Sequence, residues 1–180
     1  MPTVLIAITL ALLFWGANYI SANSGDFHYQ IYDEHDTFSA LDDRNKGGPD
    51  PIKSGKKVFD ANCSICHQAS GLGTPGQFPP LAGSDWVQTE GPNRMIRIVL
   101  YGFTGPVTVS GLQFNNSMPA LGPTLSDDQI ANVLTFVRKN KEWGNSADEV
   151  QPEQVAAIRK LVGERGMWTE AEIKAVPLKN

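Results

Sequence analysis

The sequence has few cysteines, and this scarcity excludes one class of protein. Only 2 of its 180 residues are Cys, which excludes the disulfide-rich frameworks of small secreted proteins. The chain also lacks an excess of positive charge, since 15 Lys and Arg stand against 19 Asp and Glu for a formal net charge of -4. No nucleic-acid partner is expected from this balance. With 41% hydrophobic residues, the chain can still bury a core.

Charged side chains are also missing from the N-terminus, where none precedes Asp26. Residues 4–20 form an apolar run of 17 residues. A helix of that length spans roughly 26 Å, close to the ~30 Å hydrocarbon core of a bilayer. Residues 1–22 are therefore interpreted as a transmembrane anchor or a signal peptide. The anchor is favoured because Ile20-Ser21-Ala22 fits a cleavage site poorly and no basic segment precedes the run.

The rest of the chain divides into three segments. Residues 23–50 are interpreted as an acidic linker, because residues 26–50 carry seven acids and two bases and show no sustained hydrophobic period. Residues 51–144 are expected to form the main domain. Residues 145–180 are expected to form a helical C-terminal extension that packs against the domain and does not itself form a site.

Both cysteines stand in Cys63-Ser64-Ile65-Cys66-His67, a C-x-x-C-H motif. Its spacing lets Cys63 and Cys66 bond one haem while His67 turns its imidazole onto the iron. A zinc site would need four ligands, and the remaining histidines, His28 and His35, offer no second closely spaced pair. A thioredoxin-like redox pair would follow a strand, whereas a helix is predicted to lead into this motif. We therefore predict one covalently bound haem c with its iron.

Three helices are predicted in the main domain. Asp50-Pro51 marks the start of a helix that ends near Asn62 and delivers the cysteines at its C-terminus. The pattern over residues 92–100 predicts a second helix, and a capping box at Ser126 predicts a third, from about Asp127 to Asn140. The other predicted elements are a hairpin with strands at 107–109 and 112–114, and extension helices starting at Pro152 and after Thr169.

The segment after the motif is expected to surround the haem. The imidazole of His67 needs an acceptor for its second N–H, and the Pro79 carbonyl in the following Gly- and Pro-rich loop is the candidate. Leu81 is expected to pack on the macrocycle beside it.

The haem propionates need charged or polar donors, because they are partly buried carboxylates. The candidates cluster around the second predicted helix and are Trp86, Arg94, Arg97 and Tyr101. The alternative that both arginines are surface charges stays open.

The chain has four methionines, any of which could supply a thioether as the sixth ligand to the iron. Three lie in less suitable places: Met1 in the anchor, Met95 inside a predicted helix and Met167 in the extension. Met118 is the candidate, because Pro119 keeps it extended within an irregular segment that can bend toward an iron. Two alternatives stay open: Met118 fills the core only, or His28 or His35 folds back from the linker to ligate.

These motifs share their spacing with one protein family. Gly55 and Phe59 stand eight and four positions before Cys63, Phe136 lies in the terminal predicted helix, and Pro79-Pro80-Leu81 and Met118-Pro119 match the family's histidine-supporting and axial-methionine segments. Residues 52–140 thus resemble a class I (monohaem) cytochrome c domain, similar to those of bacterial respiratory and dehydrogenase-attached proteins. The resemblance implies an all-α class I cytochrome c fold, several helices around a covalent haem with a small β-hairpin, preceded here by the transmembrane helix.

The resemblance also implies an electron-transfer protein rather than an enzyme. We expect a single-pass protein of the bacterial cytoplasmic membrane with its haem domain in the periplasm. Its partners would be a redox donor and an acceptor such as a haem-copper oxidase or another membrane respiratory complex. Two alternatives stay open. One is a haem enzyme or gas sensor, if Met118 is not a ligand, and the other is a relay subunit of a larger complex.

Overall fold

A computed structural model of the protein describes residues 2–23 and 50–179. Residues 24–49 of the predicted acidic linker, with His28 and His35, lie outside the described residues. Residues 2–23 belong to one compact unit and residues 50–179 to another.

The N-terminal unit contains one long helix, α1 (Pro2–Asn23). Its stretch Thr3–Ile20 is long and apolar enough to cross a membrane by length and composition. Inside that stretch Thr9 Oγ1 donates to the Leu5 carbonyl at 2.9 Å and Asn18 Nδ2 donates to the Phe14 carbonyl at 2.8 Å. Both polar side chains are thus satisfied by the helix's own backbone, which is the arrangement that a hydrocarbon environment requires.

Residues 50–179 are mainly helical with one antiparallel hairpin. Their helices are α2 (Pro51–Asn62), α3 (Ser64–His67), α4 (Asn93–Tyr101), α5 (Asp127–Lys139), α6 (Pro152–Val162) and α7 (Glu170–Ala175), with a 3₁₀ turn at Lys141–Trp143. Strands β1 (Val107–Val109) and β2 (Leu112–Phe114) pair through a turn in which Ser110 and Gly111 have φ 50° and 78°. Two positive φ values are typical of a type I′ hairpin turn. The predicted all-α fold with a small hairpin is confirmed.

α2 and α5 begin at the residues that the sequence predicts, because a capping side chain stands at the start of each. The Asp50 carboxylate accepts a hydrogen bond from the Ile52 N–H at 2.9 Å, with Pro51 at the first helical position of α2. At the start of α5, Ser126 Oγ accepts from the Gln129 N–H at 3.2 Å while Gln129 Oε1 accepts from the Ser126 N–H at 3.0 Å. This reciprocal capping box fixes the first turn of α5.

α2 and α5 pack together through a cluster of aromatic rings. The ring centroid of Phe59 in α2 lies 5.5 Å from that of Phe136 in α5 and 5.2 Å from that of Trp143. These tilted and edge-on contacts are the favoured arrangements for aromatic pairs. The cluster fixes the end of α2, and therefore the start of the C-x-x-C-H turn that follows it.

The C-terminal extension completes the same core. Val150, Val155 and Ile158 are buried among the core residues of α2, α4 and α5. Trp168 and Ile173 are buried in a second cluster with the hairpin. Residues on both sides of the expected boundary at residue 144 thus belong to the same buried clusters.

Candidate haem site

A largely apolar cavity opens between α3, α4, α5 and the hairpin. About 1180 Å³ of space lies between its walls, part of it continuous with solvent. Its walls include Phe59, Phe78, Pro79, Leu81, Trp86, Val87, Met95, Ile98, Val99, Phe103, Val107, Val109, Phe114, Val133, Leu134 and Val137. Cys63, Cys66, His67 and Met118 all line this cavity. The structure thus brings together the side chains that the sequence predicts to bind the haem and its iron.

α3 is a single helical turn that places the cysteines and the histidine. The N–H groups of Cys66 and His67 donate to the Cys63 carbonyl at 3.2 and 2.9 Å. Burial, with a smaller contribution from Cys66, raises the pKa of the Cys63 thiol to about 11. Without a partner, the Cys63 thiol is therefore protonated at neutral pH.

His67 is oriented by the loop that follows it. Its Nδ1 lies 3.0 Å from the Pro79 carbonyl oxygen, so Nδ1–H donates to that oxygen. Burial, partly offset by this hydrogen bond, lowers the pKa of His67. The imidazole is therefore neutral, and its Nε2 keeps a lone pair for a metal ion. This is the hydrogen bond that the sequence predicts.

Met118 lies in an extended segment paired with Phe103. The Phe103 N–H donates to the Met118 carbonyl at 3.0 Å, and the Met118 N–H donates to the Phe103 carbonyl at 2.8 Å. Met95 also lines the cavity, but it is buried within α4, and its sulfur lies 3.8 Å from Arg138 Nη1. Met167, in contrast, is exposed. Among the methionines that the structure describes, Met118 is the best placed to supply a thioether to the cavity.

Three of the four residues predicted to bind propionates lie off the cavity wall, and their contact with the propionates stays a prediction. Arg94, Arg97 and Tyr101 are not among the cavity-lining residues. Arg94 donates to the carbonyls of Lys174 and Val176 at 2.7 and 2.9 Å. The other two also bond elsewhere: Arg97 to Asn93, and the Tyr101 hydroxyl to the Arg159 carbonyl at 3.3 Å. Their polar groups thus bind neighbouring backbone and the extension instead.

Trp86 and Leu81 both line the cavity. The indole N–H of Trp86 donates to the Thr108 carbonyl at 2.9 Å. Trp86 therefore connects its own loop to strand β1, and the structure gives its N–H a partner other than a propionate.

Helical spacing in α4 distinguishes the residues that line the cavity from Arg94, Arg97 and Tyr101, which do not. Met95, Ile98 and Val99 share one face at intervals of three and four, and all three line the cavity. Arg94, Arg97 and Tyr101 fall on a different face by the same spacing. The helical spacing of Met95, Ile98 and Val99 could thus have predicted the α4 residues that line the cavity. For Val107 in the hairpin, the only pattern is the alternation of apolar and polar residues in a three-residue strand.

Comparison with known proteins agrees with this site. The family description "Cytochrome c" matches residues 52–141, half of the chain. The chain belongs to the cytochrome c family. It therefore carries a covalent c-type haem with iron, and the C-x-x-C-H motif at Cys63 and Cys66 is the attachment site that this cofactor needs.

Similar proteins include a cytochrome c-552 and cytochrome c subunits of dehydrogenases. The chain is 35% identical over 130 residues to cytochrome c-552 of Thermus thermophilus, covering 61% of this chain and 96% of the relative. It is 40% identical over 103 residues to the cytochrome c subunit of alcohol dehydrogenase (quinone) from Gluconobacter oxydans, covering 57% of this chain and 20% of the relative. It is 34% identical over 133 residues to the gluconate 2-dehydrogenase cytochrome c subunit of Pantoea cypripedii, covering 71% of this chain and 29% of the relative.

The chain thus spans about a fifth of the Gluconobacter subunit that it matches. Membership of the family makes it an electron-transfer protein rather than an enzyme. The side chains fit the cofactor: two thiols that can bond the porphyrin line the same apolar cavity as a neutral imidazole and a thioether that can bind the iron.

Proposed function

We propose that this protein is a single-electron carrier whose haem iron is bound by His67 and Met118. The observation that carries the proposal is that Cys63, Cys66, His67 and Met118 line the same apolar cavity. Bound haem supplies an iron that takes up and releases one electron, and methionine ligation raises its reduction potential. With His67 and Met118 both bound to it, the iron would have no position left for a substrate.

Each residue of the site has a limited part in this function. Cys63 and Cys66 fix the cofactor covalently, so it is not lost between oxidation states. The Pro79 carbonyl sets the orientation and the tautomer of the His67 imidazole. The apolar walls exclude water from the cofactor, which raises the potential further because the reduced site carries less charge.

The protein's partners would approach through the exposed surface beside the C-x-x-C-H turn. Ile65, inside the motif, is 82% exposed, and Leu72 in the loop that follows is 65% exposed. Apolar side chains exposed this close to the cofactor provide a contact surface for brief docking, as transient redox encounters require.

We further propose that α1 anchors the protein in the bacterial cytoplasmic membrane, with the haem domain in the periplasm. The length and apolar composition of Thr3–Ile20 support the anchor. Relatives named as cytochrome c subunits of alcohol and gluconate dehydrogenases support a respiratory donor. The acceptor would be a terminal oxidase, such as a haem-copper oxidase, or another respiratory complex.

Intact spheroplasts test the location and the role together. External protease should degrade residues 51–141 while a cytoplasmic marker protein survives, and the haem should be reduced by a respiratory substrate and reoxidised by air. Protection of residues 51–141 in intact spheroplasts would contradict the periplasmic placement.

A second candidate function is a relay subunit of a larger dehydrogenase complex. The subunit names of the relatives favour it, since they belong to multi-subunit enzymes. Mild detergent extraction separates the two proposals. Co-purification of a dehydrogenase in a fixed ratio supports the relay subunit, whereas isolation of the cytochrome alone supports the independent carrier.

A further inference from the structure

The C-terminal extension lies beside the segment that pairs with Met118. Phe103 uses both of its backbone groups on Met118. The flanking backbone groups go to Trp168: its N–H donates to the Gly102 carbonyl at 3.0 Å, and its carbonyl accepts from the Thr104 N–H at 2.8 Å. Phe103 thus forms one bridge with Met118 and a second, parallel bridge with Trp168. The segment around Phe103 lies between the methionine and the extension and is hydrogen-bonded to both.

Side chains of the extension support the same wall of the cavity. Trp168 is 7% exposed and Ile173 is fully buried. Both belong to one apolar cluster, whose other buried members are Phe103, Val107, Val109 and Phe114. Met118 packs against this cluster. Four cluster members line the haem cavity themselves, whereas Trp168 and Ile173 do not, so the extension forms a layer behind the wall.

Polar contacts attach this layer at both ends of α7. Near its start, Glu170 Oε1 accepts a hydrogen bond from the Thr108 N–H of strand β1 at 3.2 Å. Beyond its end, the Val176 carbonyl accepts from Arg94 Nε at 2.9 Å and the Pro177 carbonyl accepts from Asn93 Nδ2 at 2.8 Å. α7 is thereby connected to the hairpin and to α4, both of which contribute walls of the cavity.

We propose that the C-terminal extension positions Met118 as the sixth ligand and determines how rarely the methionine leaves the iron. The proposal rests on the proposed function, in which Met118 is that ligand. Loss of the extension would remove the Trp168 partner of the Gly102 carbonyl and of the Thr104 N–H, and would expose the apolar cluster behind Met118. Segments with fewer buried contacts open locally more often, and each local opening releases the thioether.

Trp168 and Ile173 are positioning residues in this scheme, because they act on the iron only through the segment that carries Met118. Ile158 of α6 provides a matched control within the same extension. It is 1% exposed, belongs to the core of α2, α4 and α5, and does not line the haem cavity. Ile173→Ala and Ile158→Ala therefore remove the same buried atoms from two different places.

The test compares these two variants with the wild type in the full-length haem protein. Three properties are measured: the sulfur-to-iron charge-transfer band of the oxidised form, carbon monoxide association with the reduced form, and hydrogen exchange of the Phe103 and Met118 amides. In Ile173→Ala we expect partial loss of the band and carbon monoxide association at least about tenfold faster, with faster exchange of both amides. Ile158→Ala should lower stability and leave these properties within about twofold of the wild type.

Equal effects of the two variants, or no effect of Ile173→Ala, in a wild type that shows the band would overturn the positioning role and leave the proposed function intact. A wild type without the band contradicts Met118 ligation, and both proposals then fail. If either Ala variant does not fold, the milder pair Ile173→Val and Ile158→Val makes the same comparison.

Discussion

Gly55 in α2 lies so close to Asn132 in α5 that a Cβ on Gly55 would overlap the Asn132 carbonyl oxygen. The same Cβ would lie 2.8 Å from Cβ of Phe136. The two helices can cross at this distance only because residue 55 has no side chain. This crossing supports the end of α2, from which the C-x-x-C-H turn begins.

Gly55→Ala should therefore destabilise the protein by about 3 kcal/mol or more, because the added methyl meets backbone that cannot move aside without separating the helices. The free energy of unfolding in urea measures this. Gly166→Ala is the matched control, since a Cβ at Gly166 meets nothing within 4 Å, and its stability should stay within about 0.5 kcal/mol of the wild type. Similar stabilities for the two variants would contradict the close helix crossing.

Gly73→Ala should raise the reduction potential of the haem. Gly73 has φ +66°, and a Cβ there would lie 2.6 Å from the Pro79 carbonyl oxygen. Displacing that oxygen weakens its hydrogen bond with His67, and a less basic imidazole stabilises the oxidised iron less. Potentiometric titration measures the change.

Gly76→Ala controls for backbone strain in the same loop. Gly76 has φ +72°, but a Cβ there meets nothing within 4 Å. Its potential should match that of the wild type. If Gly73→Ala leaves the potential unchanged or lowers it, the role given to the Pro79 carbonyl is wrong.

Arg138→Leu should cost about 3 kcal/mol of stability, because it leaves three carbonyls, that of buried Val87 among them, without their donor. Arg138 is fully buried and donates to the carbonyls of Val87, Thr89 and Asp148 at 2.8, 2.9 and 2.9 Å. Urea unfolding measures the cost. Lys160→Leu, at an exposed position of α6, makes a comparable change of side chain and should have little effect on stability. A loss below about 1 kcal/mol for Arg138→Leu would show that these hydrogen bonds contribute little.

Cys63→Ser and Cys66→Ser should each leave one thioether bond, so each single variant should still show haem staining on a denaturing gel. The double variant should lose all staining, because His67 and Met118 bind only the iron and release it on denaturation. Staining of the denatured double variant would mean that another side chain bonds the haem.

The sequence predicted the features that depend on neighbouring residues, such as helix starts, better than the contacts between residues far apart in the chain. The capping boxes at Ser126 and Thr169 and the proline at Pro51 place helix starts correctly, because each signal acts within one helical turn. The hydrogen bond between His67 and Pro79 was also predictable, since the loop between them is short. The position of the extension was not, because it depends on pairs such as Phe103 with Trp168 that are far apart in the chain.

The positions of Arg94 and Arg97 were not predictable for a related reason. Arg94 and Arg97 are close in sequence to the predicted site, but closeness along a helix does not place two residues on one face. Arg94 binds carbonyls of the extension instead, and no local pattern in the sequence indicates that the extension packs there. Arg138 is a similar case, since its carbonyl partners come from separate loops.

The absorption spectrum of the oxidised full-length protein tests whether Met118 fills the sixth position of the iron. The wild type should show the long-wavelength sulfur-to-iron charge-transfer band, and its reduced form should bind carbon monoxide poorly. In Met118→Ala the band should vanish and carbon monoxide should bind readily, while Met95→Ala should keep the band. A wild type that lacks the band, or that binds carbon monoxide as readily as Met118→Ala, would contradict the electron-carrier account and favour a gas-binding haem.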